Sequence, residues 1–169
     1  MTYKGTLIAV RDMEKSRKFY QELLGLAVVS DFGANVQLEG GLYLQTLESW
    51  TGFLCGKAVS PGGNDGELYF EVADMDAFCK KLGSCSVDLV HGPLEHSWGQ
   101  RVVRFYDPDL HIIEVAEDIA MVVRRFALSG MDEEQVARRM DVPVDFVRDC
   151  LKESDRIVPS DASSPVPKV

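Results

Sequence analysis

Two stretches of the 169-residue chain repeat one pattern, and no other feature limits the possible folds as sharply. GTLIAVRDMEKSRKFYQELLG begins at Gly5, and GELYFEVADMDAFCKKLGS begins at Gly66. Val10 and Val72, Asp12 and Asp74, and Met13 and Met75 each lie 62 residues apart. In both copies an apolar run of strand length precedes the Asp, and a helical pattern follows it. Each Asp is expected to cap its helix, because a carboxylate there can accept from an unpaired amide of the first turn. The helices are predicted to run to Leu24-Gly25 and Leu82-Gly83, where glycine would supply a left-handed cap. Met13 and Met75 are expected to pack the helices onto their sheets. Short strand patterns follow, near 26–30, 34–39 and 42–47, and again near 86–90, 101–106 and 111–116. Turn residues separate them at Glu39-Gly40-Gly41 and Asp107-Pro108-Asp109. Each copy reads β-α-β-β-β, which makes residues 1–118 an α+β fold of two modules, about 4–54 and 66–118.

The rest of the chain reads differently. Residues 119–153 are charged and helical, with a break at Ser129-Gly130 and a capping-box spacing from Asp132 to Gln135. Pro143 suits the start of a further helix. Residues 154–169 are rich in Ser, Pro and Asp without any period, and are expected to be a disordered tail. Hydrophobic residues make up 46% of the chain, enough for a packed core. The net charge of −9 disfavours phosphate backbones and anionic membranes, so neither nucleic acid nor membrane is an expected partner. The helix spacing around Ala137, Val142 and Val147 resembles a helix-turn-helix. Asp145, Asp149 and Glu153 on its second helix argue against phosphate contact. The opening residues carry no signal-peptide pattern, and no apolar run approaches the roughly 20 residues of a membrane span. The four cysteines form no C-x-x-C and are expected to be reduced thiols. A cytoplasmic protein is expected.

Two motifs carry a resemblance. VRDMEKSRKFYQELLGL (Val10–Leu26) resembles a D-x-x-x-S-x-x-F-Y-x-x-x-L-G-L helix, and WGQRVVRFYDPDLHIIEVAE (Trp98–Glu117) resembles a W-G-x-R … D-P-D-G-x-x-I-E-L ending. Both are similar to motifs of the vicinal oxygen chelate superfamily, which includes glyoxalase I, bleomycin-resistance proteins and extradiol dioxygenases. The resemblance covers about residues 4–118. It departs from the pattern at Leu110, which stands where the family turn has Gly. It implies a concave, cleft-bearing sheet built from both modules, and a homodimer.

The resemblance also implies a divalent metal held by side chains on the first and last strands of each module. By position these fall on Gly5, Gln45, Glu67 and Glu114. Gly5 has no side chain to ligate with. The other three would form an all-oxygen set suited to Mg²⁺ or Mn²⁺, with Ni²⁺ or Zn²⁺ as further candidates. Strand alternation puts Glu114 on one face with Ile112, and Glu67 on one face with Tyr69 and Glu71. Glu114 would then ligate the metal or pair with Arg104 on the neighbouring strand. Tyr43, Tyr69, Trp98, Arg104 and His96 are candidate substrate-binding residues, with Trp50 and Trp98 placed at pocket rims. His91 is expected in a loop, and the strand parity of His111 marks it as structural.

Two readings of function follow. In the first, the protein is a glyoxalase-like lyase or isomerase, in which a metal polarises an oxygen-bearing substrate while Glu114 or Glu67 moves a proton. In the second, it is a metal-free protein of the bleomycin-resistance type, which sequesters a cationic, aromatic small molecule between acidic and aromatic walls.

Overall fold

The structure, a computed structural model, describes residues 1–157. The elements run β1 (Thr6–Val10), α1 (Met13–Glu22), β2 (Val28–Asp31), β3 (Asn35–Leu38), β4 (Leu42–Thr46) and α2 (Leu47–Phe53). They continue as β5 (Glu67–Val72), α3 (Met75–Gly83), β6 (Leu89–Glu95), β7 (Arg101–Tyr106) and β8 (Ile112–Glu117). Three helices close the chain: α4 (Ile119–Leu128), α5 (Glu133–Met140) and α6 (Val144–Ile157). The repeat holds at the level of topology, since one sheet has the order β1-β4-β3-β2 and the other β5-β8-β7-β6. In the first sheet β1 runs parallel to β4, with Thr6 opposite Leu42 and Val10 opposite Thr46.

The local signals at the helix starts act as their chemistry predicts. Asp12 accepts from the Lys15 amide at 3.0 Å and Asp74 from the Ala77 amide at 2.9 Å. At the helix ends the two copies differ. Gly25 takes the left-handed conformation (φ +76°) and its amide donates to Gln21 O at 3.1 Å. Gly83 does not, which corrects the expectation for the second copy. It is the last residue of α3, and the chain leaves through Ser84 in a right-handed conformation (φ −89°, ψ −6°) whose amide donates to Lys81 O. Strand β6 lies three residues later than expected, and α2 is a helix where the sequence showed only the end of a strand. LESWTGF is too short to display a period.

The chain divides into two compact units. The first comprises Met1–Leu94 and Val102–Ala116. Its core joins both modules, with Tyr20, Leu38, Leu44, Met75, Phe105 and Ile113 fully buried. Met13 packs against this core. Val103 and Phe105 of β7 and Ile113 and Val115 of β8 point into it, so alternation sends Arg104 and Glu114 to the opposite face of the sheet.

The second unit comprises Glu95–Arg101 and the chain from Glu117 onward. It has its own core, built on Val122, Val123, Phe126, Val136, Met140 and Val147. The capping box forms as the spacing predicts, with Asp132 accepting from Gln135 N and Gln135 accepting from Asp132 N, both at 2.8 Å. Gly99 sits at φ +92°, and a Cβ there would lie 2.3 Å from the Phe126 ring. The guanidinium groups of Arg125 and Arg139 lie 4.9 and 5.1 Å from the centre of that ring. Glu117, buried in this unit, accepts from Arg101 and Arg125. Helix α6 reaches Ile157, into the segment whose composition suggested an aperiodic tail, and residues 158–169 lie outside the described residues. Among the described residues no helix is long and apolar enough to cross a membrane.

Candidate functional site

The polar face of the second sheet is organised by Arg104. Its Nε donates to Glu67 Oε2 at 2.8 Å, and its Nη2 lies against Glu114 Oε2. Glu114 stands directly opposite Arg104 in the β7–β8 register. The Glu114 side chain is 6% exposed, against 25% for Arg104 and 35% for Glu67. Glu114 Oε2 accepts no aligned hydrogen bond, so the proximity of the guanidinium alone offsets its burial. A third neighbour fixes the rotation of Arg104: Nη1 lies 3.3 Å from His91 Nε2. Guanidinium can only donate, so His91 Nε2 accepts, and the His91 proton sits on Nδ1, 2.8 Å from Gly92 O. His91 is on β6 rather than in the loop expected for it.

Gln45 is held in a separate network on the first sheet. Its Oε1 accepts from Asn35 at 2.7 Å and its Nε2 donates to Ser49 Oγ. Gly5 precedes β1 at φ +146°, and a Cβ there would fall 1.8 Å from Gly41 O and 2.9 Å from the Tyr43 ring. The backbone of the β3–β4 turn therefore occupies the space that a side chain at Gly5 would need.

The hairpin between β7 and β8 joins the two modules. Asp107 Oδ1 accepts from the amides of Asp109 and His111, both at 2.8 Å. Its Oδ2 accepts from Tyr20 OH at 2.8 Å and contacts His111 Nδ1 at 2.9 Å. Asp109 accepts from Arg11 N at 2.9 Å and from Ser16 Oγ at 3.0 Å. The Ser and Tyr of the first motif thus meet the two Asp residues of the second. Burial by itself would raise the Asp107 pKa; the hydrogen bonds and charge of His111, with Tyr20, outweigh it and hold the carboxyl below its ordinary value. Burial, then the neighbouring Asp107, pushes the Tyr20 hydroxyl well above its ordinary value.

The same hairpin borders a cavity of about 370 Å³. Leu7 and Ala9 of β1, Trp50 of α2, the linker around Pro61–Gly63, Glu67 and Leu110 contribute to its walls. Arg11, Asp65 and His111 add polar groups. The hairpin closes by Leu110 N donating to Asp107 O at 3.2 Å and Asp107 N to His111 O at 3.0 Å, and Leu110 occupies the left-handed region at φ +73°. This is the three-residue hairpin in which glycine is favoured at the last loop position. Leucine keeps that backbone at a cost of about 1 kcal/mol.

This architecture can be placed among known proteins. A family model described as a glyoxalase-like domain matches residues 3–120. The chain belongs to the glyoxalase-like family. A crystal structure of a protein of unknown function from Agrobacterium tumefaciens str. C58 is 38% identical, covers 70% of this chain and 94% of its own, and has a TM-score of 0.64. A glyoxalase-related enzyme from Fulvimarina pelagi shares the fold at 21% identity, covering 70% of this chain and 89% of its own, with a TM-score of 0.62. Lactoylglutathione lyase from Agrobacterium tumefaciens does so at 20% identity, covering 70% and 94%, with a TM-score of 0.55.

In this glyoxalase-like chain the four positions implied as metal ligands do not fit a divalent cation. Gly5 offers no donor and has no room for one. The Gln45 oxygen accepts from Asn35. Glu67 and Glu114 share a guanidinium, which already supplies the positive charge between them. Among the described residues, no group of three or more His, Cys, Asp or Glu side chains is arranged to hold a metal ion.

Of the candidate substrate-binding residues, the structure brings Arg104 to Glu67 and Glu114. Tyr69, on the same face of β5 as Glu67, donates to Glu71 at 2.7 Å. Tyr43 is half-buried on β4 beside Gly5. His96 and Trp98 belong to the second unit, where their rings stack at 4.3 Å, and neither is among the residues lining the cavity. Trp50 does line it, from the unforeseen helix α2. Sequence reasoning missed His91 and the Pro61–Gly63 linker as site components. For Leu110 the signal was present, as a bulky residue in the place of the family glycine.

Proposed function

We propose that this glyoxalase-like protein binds a small organic cation with an apolar or aromatic face, without a resident metal. The observation that carries this reading is the guanidinium of Arg104 set between Glu67 and Glu114, where the family pattern would put a metal. The ligand class follows from the cavity walls. Asp65, Glu67, Asp109 and Arg11 are its charged groups; Arg11 pairs with Asp109 and Arg104 with Glu67, which leaves Asp65 to give the wall its negative sign, and the whole chain carries −9. Trp50, Leu7 and Leu110 supply apolar surface on which a flat cation can rest, and the Trp50 ring can add cation–π attraction.

The test has two arms. Purified protein, before and after EDTA, is analysed for bound metal and melted with added Mn²⁺, Ni²⁺, Zn²⁺ and Mg²⁺. It is then titrated with thioflavin T, a cationic aromatic dye, and with anilinonaphthalene sulfonate, an anionic one. Expected results are a melting temperature unchanged by EDTA or divalent ions, and saturable binding of thioflavin T that weakens with salt. A melting shift produced by a divalent ion and lost in the Glu67→Ala/Glu114→Ala double variant overturns the metal-free reading. Preference for the anionic dye overturns the ligand class.

A further inference from the structure

Leu110 is an oddity with a location. It holds a left-handed backbone (φ +73°) that a side chain disfavours, yet it is 41% exposed and so gains little of the burial that would offset the strain. Its geometry is imposed by neighbours. The Asp107 carboxylate binds the amides on either side of it, and Asp109 is fastened to Arg11 and Ser16, so the hairpin cannot relax into a turn that suits leucine. What the side chain does reach is the cavity. It forms part of the wall, and its Cδ1 lies 3.5 Å from where a Cβ on Gly62 would be, so it rests against the linker that crosses that wall. Tyr106 OH, donating to Asn64 Oδ1 at 3.2 Å, pins the same linker from the sheet side. A glycine at 110 would relieve the strain and leave the cavity wider.

We infer that Leu110 is a specificity-determining residue, an apolar wall that contacts the non-polar face of the ligand and narrows the cavity against bulkier molecules. The inference rests on the ligand-binding reading proposed above. Within the hairpin loop Leu110 is the apolar member of the wall, between the polar Asp109 and His111, and Ile112 continues the apolar surface at the start of β8.

The experiment compares Leu110→Gly and Leu110→Ala with the unaltered chain, by thermal melting without ligand and by thioflavin T titration. Gly removes the side chain and the strain together; Ala removes the side chain and keeps the strain. The expected melting order is Gly at or above the unaltered protein, with Ala lowest. The expected dye affinity falls about tenfold in both variants. A melting order with Gly lowest, or dye binding unchanged in both variants, overturns the inference. Should the unaltered protein bind neither dye, the ligand class fails by itself, and the melting order alone decides whether Leu110 is kept at a cost to stability.

Discussion

Arg104 is the residue on which the polar face depends. Replacing it with Met leaves Glu114 buried without a counter-charge, and removing one partner of a buried pair is far costlier than never having had the pair. Because Arg104 and Glu67 are partly exposed, the expected loss is about 2–3 kcal/mol, below the usual range for a fully buried pair. Urea denaturation of Arg104→Met should show it, and adding Glu114→Gln should restore more than half. At Gly5 the expected effect is steric. Gly5→Ala drives a Cβ into Gly41 O and should cost about 2 kcal/mol or more. Gly5→His should likewise destabilise the protein and confer no metal-induced melting shift. The sequence disclosed that Gly5 could not ligate and that Arg104 was a possible partner for Glu114. It could not disclose why Gly5 is glycine, because the carbonyl that excludes a side chain comes from a turn 36 residues away. The reach of Arg104 to both carboxylates was hidden for the same reason, since Glu67 lies 37 residues from it.

At the scale of elements the β7–β8 hairpin and helix α1 form one polar joint, and its pH response has a definite sign. The Asp107 pKa is held below its ordinary 3.8, so the joint contributes stability above that pH and loses it as pH falls through the folded value. The Tyr20 pKa is raised above its ordinary 10.0, so its contribution is complete below pH 10 and is lost as pH rises beyond it. Asp107→Asn should lower stability at pH 7 by about 1–3 kcal/mol and flatten the acid limb of the curve. Urea midpoints for both proteins between pH 3 and 7 would check this. Elements with strong local chemistry were the legible ones: the capping Asp residues 12, 74 and 132, and the strands with alternating burial. Helix α2 was not legible, because seven residues hold too little period. The Gly83 ending was misread because composition alone does not say whether a helix leaves through a left-handed or a right-handed residue.

For the whole molecule the informative feature is that the chain makes two cores. The sequence reading divides the chain near residue 118; the second compact unit takes in Glu95–Arg101 together with the closing helices. The Trp-Gly pair of the second motif therefore serves that unit, with Gly99 making room for Phe126. Gly99→Ala should cost about 2 kcal/mol locally, seen as amide exchange in α4 faster by on the order of 30-fold while the β-sheet amides of the first unit stay protected. The family motifs announced the modules because their chemistry is structural: Ser16, Tyr20, Asp107 and Asp109 meet in a joint. On the metal-free reading proposed above, a counter-charge carried on Arg104 has a consequence for how the protein comes into service: it is translated with the chain, so no loading step follows synthesis. No chelator can strip it, and it does not compete for scarce ions. Ligand binding should then be equal in metal-starved and metal-replete surroundings.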